Sequence, residues 1–286
     1  MVATWAGEGM TSFKAYMNLS RASLAAAVEE AHRRKLPVTG HLCSVTWPEA
    51  IASGIDGLEH GPVFSDTELV PDKQPDVCPP FKANREAWLR ADLAGPAVRA
   101  LIASLVSHHV AVTSTLPVFE AAVSGRPPLQ RRVLEAMAPS SRESYLTARA
   151  VATAGGLPEA LLHQEMAFER AFFLAGGLLL AGCDPTGNGG VLPGFGDQRE
   201  VELLVEAGFT PVEAIHVATE NGARALGVAD RLGTLAPGKQ ADLVVVKGDP
   251  SRTISDLENV ELVFKRGVGF DSHALVESVR GQVGLR

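Results

Sequence analysis

The sequence predicts an α/β fold built on a parallel sheet. Short apolar runs of strand length alternate with longer amphipathic stretches of helical period, the pattern of successive βαβ units. Five of the short runs carry, or end beside, a polar residue: Lys14, His41, His60, the Thr113–Thr115 pair and Asp184. The ends of parallel strands are where a β/α barrel gathers its functional groups.

Taken in order, Phe13-Lys14-Ala15-Tyr16-Met17 reads as the first strand. Ser20 caps a helix with Leu24, Ala27, Val28 and Ala31 on one face, and Pro37 stops it. Val38 to His41 is the second strand. A short helix opens at Trp47-Pro48 and ends at Gly54, and Gly57 to His60 is the third strand. Pro96 starts a helix carrying Val98, Leu101, Ile102 and Leu105, followed by the strand Val110 to Ser114. A helix from Pro158 to about Ala175 leads to the strand Gly177 to Cys183. Two connections are long, Pro62 to Gly95 and Phe119 to Gly156, and read as lids over the strand ends. Beyond Asp197 come two helices, Gln198 to Ala207 and Pro211 to Leu226. Leu232 to Lys239 then reads as a strand and tight turn, and Ala241–Lys247 and Val260–Lys265 as strands of a small β-unit.

Composition bounds the function. Of 286 residues 46% are hydrophobic and 21% charged, an ordinary globular balance. The net charge of −7 disfavours a nucleic-acid partner, and the basic residues are scattered. No uncharged apolar run reaches the roughly 18 residues of a membrane span. Three cysteines without CxxC spacing argue against a disulfide framework and suit a reducing compartment, so a cytoplasmic location is expected; a missing N-terminus would hide any signal peptide.

Two imidazoles and a carboxylate at successive strand ends form a metal-ligand set by chemical type. Singly each has a plain alternative. A lone histidine is commonly a hydrogen-bonded structural residue, and Asp184-Pro185 initiates a turn. Lys14 inside an apolar strand is harder to dismiss, because a buried ammonium is costly without partners.

These residues sit in longer motifs: Gly40-His41, Trp47-Pro48-Glu49-Ala50-Ile51, Gly57-Leu58-Glu59-His60-Gly61, Leu192-Pro193-Gly194, and Gly233-x-x-x-x-Gly238-Lys239-x-Ala241-Asp242-Leu243-Val244-Val245. Together they resemble the amidohydrolase superfamily, in its imidazolonepropionase-like and prolidase-like branch. The resemblance implies a (β/α)8 TIM-type barrel, of which strands four to eight are present, with part of a small β-sandwich domain. Residues 1–228 then belong to the barrel and 229–286 to the β-sandwich remnant and tail. It also implies one or two divalent metal ions, expected to be zinc. Lys14 matches the position of the bridging carboxylated lysine, His41 and His60 the two later histidine ligands, and Asp184 the aspartate that binds metal and moves the proton. By position rather than by resemblance, Tyr16 and Thr115 near strand ends are assigned to the substrate pocket, with barrel packing the alternative, and Thr186 and Asn188 on the glycine-rich loop to substrate contact.

No His-x-His pair occurs in the sequence, so the family's first metal position lacks its histidines, and the chain reads as a fragment beginning before the fourth strand. The expected activity is metal-dependent hydrolysis of amide or cyclic-amide C–N bonds, with Xaa-Pro dipeptides one option. The alternatives are a catalytically incomplete fragment or partner-binding subunit, and an ester or phosphotriester hydrolase on the same scaffold. The expected partner is a small amide or peptide substrate, with a homo-oligomer left open.

Overall fold

A computed structural model describes residues 1–185 and 191–284. In chain order the elements are α1 (Val2–Gly7), β1 (Phe13–Ala15), α2 (Arg21–Arg33), β2 (Val38–Gly40), α3 (Trp47–Ala52), β3 (Gly57–Glu59), α4 (Pro62–Ser65), α5 (Phe81–Arg90), α6 (Pro96–Ser107) and β4 (Ala111–Ser114). Next come α7 (Leu116–Glu120), α8 (Arg131–Ala136), α9 (Pro139–Gly155), α10 (Glu159–Leu174), β5 (Leu179–Ala181), α11 (Phe195–Glu206), α12 (Pro211–His216) and, after a π-helical turn at Val217–Asn221, α13 (Gly222–Ala225). The chain ends in β6 (Leu243–Val246), β7 (Val260–Lys265), β8 (Val268–Asp271) and α14 (Ser272–Ser278). None of the described helices is long and apolar enough to cross a membrane.

The fold is α/β, with β1 to β5 in a five-stranded sheet in sequential order. The parallel register pairs Lys14 with Thr39, Gly40 with Leu58, and Glu59 with Thr113, so Lys14, His41 and His60 come to the same end of the sheet. Ser20 accepts from the Ser23 amide to start α2, and a Thr46–Glu49 capping box starts α3.

The chain divides into two compact units, residues 1–114 with 163–179, and residues 115–162 with 180–286. The first buries Leu24, Val28 and Ala31 of α2, Trp47 and Ile51 of α3, Leu105 of α6, and Val38, Leu58 and Val112 of the strands. Trp47 and Trp88 meet Phe168 edge-on at 6.3 and 6.2 Å, and Phe168 stacks on Phe172. Burying each Phe contributes about 1.5–3 kcal/mol.

The connection from Pro62 to Gly95 is a strap rather than the expected lid. It carries α4 and α5 and is tied to the segment that follows β2. The Trp47 amide donates to Asp66 (2.9 Å), Thr67 Oγ1 to the Cys43 carbonyl (2.8 Å), and Lys73 Nζ to the Ser44 carbonyl (2.7 Å). A Cys43–Cys78 disulfide closes it, with Cα atoms 4.9 Å apart. This corrects the reading of the cysteines. A separation of 35 residues leaves no local spacing signature, and the pair meets only because the strap folds back.

In the second unit the connection from Phe119 to Gly156 is likewise mostly helical, as α8 and α9. It is anchored by a cluster of Ala136, Met137, Tyr145 and Leu192. Ala138 and Val283 join it to the C-terminal tail through Ala138 N to Val283 O at 2.9 Å. The strands β6, β7 and β8 form an antiparallel sheet of their own, in which β6 and β7 match two expected strands and β8 is additional. Leu232 to Lys239 is not a strand. Gly233 and Gly238 take φ of 89° and 87°, and Lys239 Nζ donates to the carbonyls of Ala229 and Leu232, which satisfies this loop's backbone locally.

Candidate metal centre

The site is assembled at the C-terminal ends of three neighbouring strands of the first unit. His41 follows β2, its amide donating to the Ala15 carbonyl at 3.1 Å, and His60 follows β3, its amide donating to Thr113 at 3.0 Å. These backbone bonds continue the parallel ladder one residue past each strand and bring the two rings to 4.3 Å, edge to face. Tyr16 packs edge-on against His41 at 5.0 Å, and Lys14 Nζ lies 5.9 Å from the Tyr16 ring.

Glu59, the last residue of β3, organises the charges. It forms an ion pair with Lys14 and accepts from Thr39 Oγ1 at 2.7 Å, and its Oε2 is 3.9 Å from His60 Nε2. In the sequence Glu59 shows only as part of the Gly57–Gly61 motif, and its role emerges from the partners it meets across the strands. His60 is buried, and burial, then the charges of His41 and Lys14, push its pKa down to about 3. It is therefore a neutral imidazole at physiological pH, the form that ligates a cation.

The remaining candidates are placed as follows. Tyr16 is exposed and Thr115 is buried at the start of α7, in the second unit. Asp184 is in the second unit too, three residues past β5, half-buried and in a left-handed conformation with φ of 43°. Its neighbour Cys183 is buried, its thiol pushed up to about 12 by burial and then by Asp197. Thr186 and Asn188 lie outside the described residues.

Among the described residues no group of three or more His, Cys, Asp or Glu side chains converges as a metal cage. What converges is two imidazoles with a lysine. The donor chemistry fits a cation at His41 and His60, and a third donor from Lys14 only as its carbamate, because an ammonium has no lone pair to offer.

Residues 178–269 match the amidohydrolase family. The chain is 36% identical over 125 residues to the imidazolonepropionase of Deinococcus deserti, a stretch covering 43% of this chain and 30% of that protein. It is 39% identical over 77 residues to adenine deaminase 1 of Latilactobacillus sakei, covering 26% and 12%. Among solved structures it resembles the bottromycin amidohydrolase, with a TM-score of 0.66 at 23% identity over 97% of this chain and 59% of that one. A putative prolidase from Bifidobacterium longum gives 0.61 at 22% identity, over 97% and 61%. The chain thus spans under a third of these curated relatives and about three-fifths of these solved chains, with which it shares the fold.

Proposed function

With residues 178–269 belonging to the amidohydrolase family, we propose that this chain forms strands four to eight of a (β/α)8 barrel and the second half of a divalent-metal site for hydrolysing amide or cyclic-amide C–N bonds. Residues 229–286 are the β-sandwich portion in this reading. The observation that carries it is the pair of imidazoles held 4.3 Å apart at adjacent strand ends, the buried one neutral.

His41, His60 and the carbamate of Lys14 would hold one cation, and Asp184 is assigned to a second; zinc suits the nitrogen donors. When bound, such a cation supplies Lewis acidity and lowers the pKa of a water nucleophile. In this reading Asp184 would be the group that holds a proton and passes it to the leaving amine. Lys14 can form a carbamate only by losing its proton and giving up its ion pair with Glu59. Tyr16, exposed beside His41, is positioned to meet the substrate, and Xaa-Pro dipeptides are one candidate class. Thr115, Thr186 and Asn188 remain assigned to substrate contact in this reading.

The test is a Zn2+ titration in bicarbonate buffer. The wild-type chain is expected to bind at least tenfold more tightly than His41→Ala or His60→Ala. Equal affinity in all three would sink the assignment. A second reading, a non-catalytic subunit, is favoured by the Lys14–Glu59 ion pair, which occupies the lysine as an ammonium. A carbamate signal from labelled bicarbonate, absent in Lys14→Ala, decides between the two.

A further inference from the structure

His60 and Gly61 both adopt left-handed backbone conformations, with φ of 71° and 68°. For a histidine this is sparsely populated, and it persists only where the surroundings over-determine it. On one side the His60 amide is held by Thr113 O. On the other, Ser65 Oγ donates to the carbonyls of Glu59 (2.8 Å) and Gly61 (2.7 Å).

The remaining hold comes from α10. Glu165 Oε2 accepts from the Val63 amide at 2.9 Å, and a Cβ on Gly61 would stand 1.7 Å from Glu165 Oε1. The carboxyl group therefore lies flat against the turn, in space that only glycine leaves open. One helical turn on, Glu169 Oε2 accepts from Ser114 Oγ at 2.8 Å, next to the Thr113 that holds His60. One carboxyl group thus holds the turn itself, and the other holds the end of the neighbouring strand β4.

Both are fully buried, and Oε1 of each accepts no hydrogen bond among the described residues. Burial pushes both well above the usual carboxylate range, Glu169 further because Glu165 is beside it. Apolar side chains of similar volume would fill this space without desolvating two acids. The gripping geometry is what an apolar side chain could not supply.

We propose that Glu165 is a positioning residue that aims His60 by holding its turn, with Glu169 bracing the neighbouring strand end. This rests on the reading of His60 as a metal ligand. The test titrates Co2+ into the wild-type chain, Glu165→Gln and Glu165→Met, and records the His60 ring signals by NMR without metal. Gln keeps an acceptor for the Val63 amide, and Met keeps the volume but not the acceptor. We expect Gln to stay within about threefold of wild-type affinity with unshifted ring signals, and Met to lose about tenfold with shifted ones. Wild-type affinity and ring signals in the Met variant would overturn the proposal, as would equal loss in both variants. If Glu165→Met does not fold, Glu165→Ala, which removes the carboxyl group and leaves the sequence of the turn unaltered, is read by the same two criteria. A wild-type chain that binds no Co2+ refutes the metal reading alone, and the ring signals then decide the positioning.

Discussion

Glu120 in the second unit and three acids of the first are buried in opposite ways. In the second, Glu120 is fully buried between two guanidinium groups: Arg126 reaches its Oε1 at 2.8 Å, and Arg199 grips both oxygens at 2.7 and 3.0 Å. Arg126 and Arg199 extend the network to Glu206 and Glu202. Burial works against the charge of Arg199, but Glu120 and Glu202 hold its pKa above the ordinary value. In the first unit Asp66, Glu165 and Glu169 are as deeply buried, yet their partners among the described residues are backbone amides and one hydroxyl, and burial pushes all three upward. At Glu120 the buried acid is answered with cations, and at the three acids of the first unit burial favours the neutral form. Beside a candidate cation site the second solution keeps the added negative charge small.

The largest expected effect breaks the cationic solution. Glu120→Leu leaves Arg126 and Arg199 without their central carboxylate and is expected to cost about 3–5 kcal/mol, since removing one partner strands a buried charge. The matched change in the first unit, Glu169→Gln, keeps an acceptor for Ser114 and should shift stability by less than about 1 kcal/mol. Urea unfolding can separate the two, because Trp5, Trp47 and Trp88 all lie in the first unit while circular dichroism sees both. Equal losses would erase the distinction.

Asp66 sharpens it through pH. Its Oδ1 accepts from the amides of Trp47 and Glu68, and burial raises it from 3.8 to about 7. The native state keeps the proton that the unfolded chain releases, so stability is fully present below about pH 4 and falls as pH rises to about 7. At 1.4 kcal/mol per pKa unit the loss is at most about 4 kcal/mol. Asp66→Asn keeps the acceptor and cannot titrate. Its stability advantage, read by tryptophan fluorescence, should grow across that window, whereas a pH-independent difference would refute the account.

How legible all this was in the sequence depended on the range of the interaction. Alternating periods and caps placed β1 to β5 and α2, α3, α6 and α10 within a few residues, because those signals are local. His41 and His60 were legible as strand-end imidazoles, and the register that brings their rings together follows from sequential parallel strands. The Cys43–Cys78 bond and the strap were not, since they depend on a 35-residue connection returning to β2. Leu232 to Lys239 has strand-like residues but lacks strand partners, and its glycines and Lys239 close it as a loop. Glu165 and Glu169 carried a usable signal, two acids at i and i+4 among Met166, Phe168 and Phe172, which sets them on the apolar face of α10. Charged residues on a helix ordinarily read as solvated, so only their burial reveals them.

A smaller effect than that of Asp66 tests whether the neutral acids depend on their single donors. Ser114→Ala removes the hydroxyl that Glu169 Oε2 accepts from and fills no new space. If burial holds Glu169 in its neutral form, the loss is that of one ordinary buried hydrogen bond, about 1 kcal/mol, rather than the larger cost of exposing a buried carboxylate to an apolar wall. In a Glu169→Met background the same serine change should cost close to nothing, because no acceptor remains to be orphaned. A double-mutant cycle on urea unfolding therefore separates two states of the same acid. A coupling near 1 kcal/mol fits a protonated Glu169, and one above about 3 kcal/mol means that a charge is buried there after all, as in the Glu120 network, and that the contrast between the two units does not hold at this position.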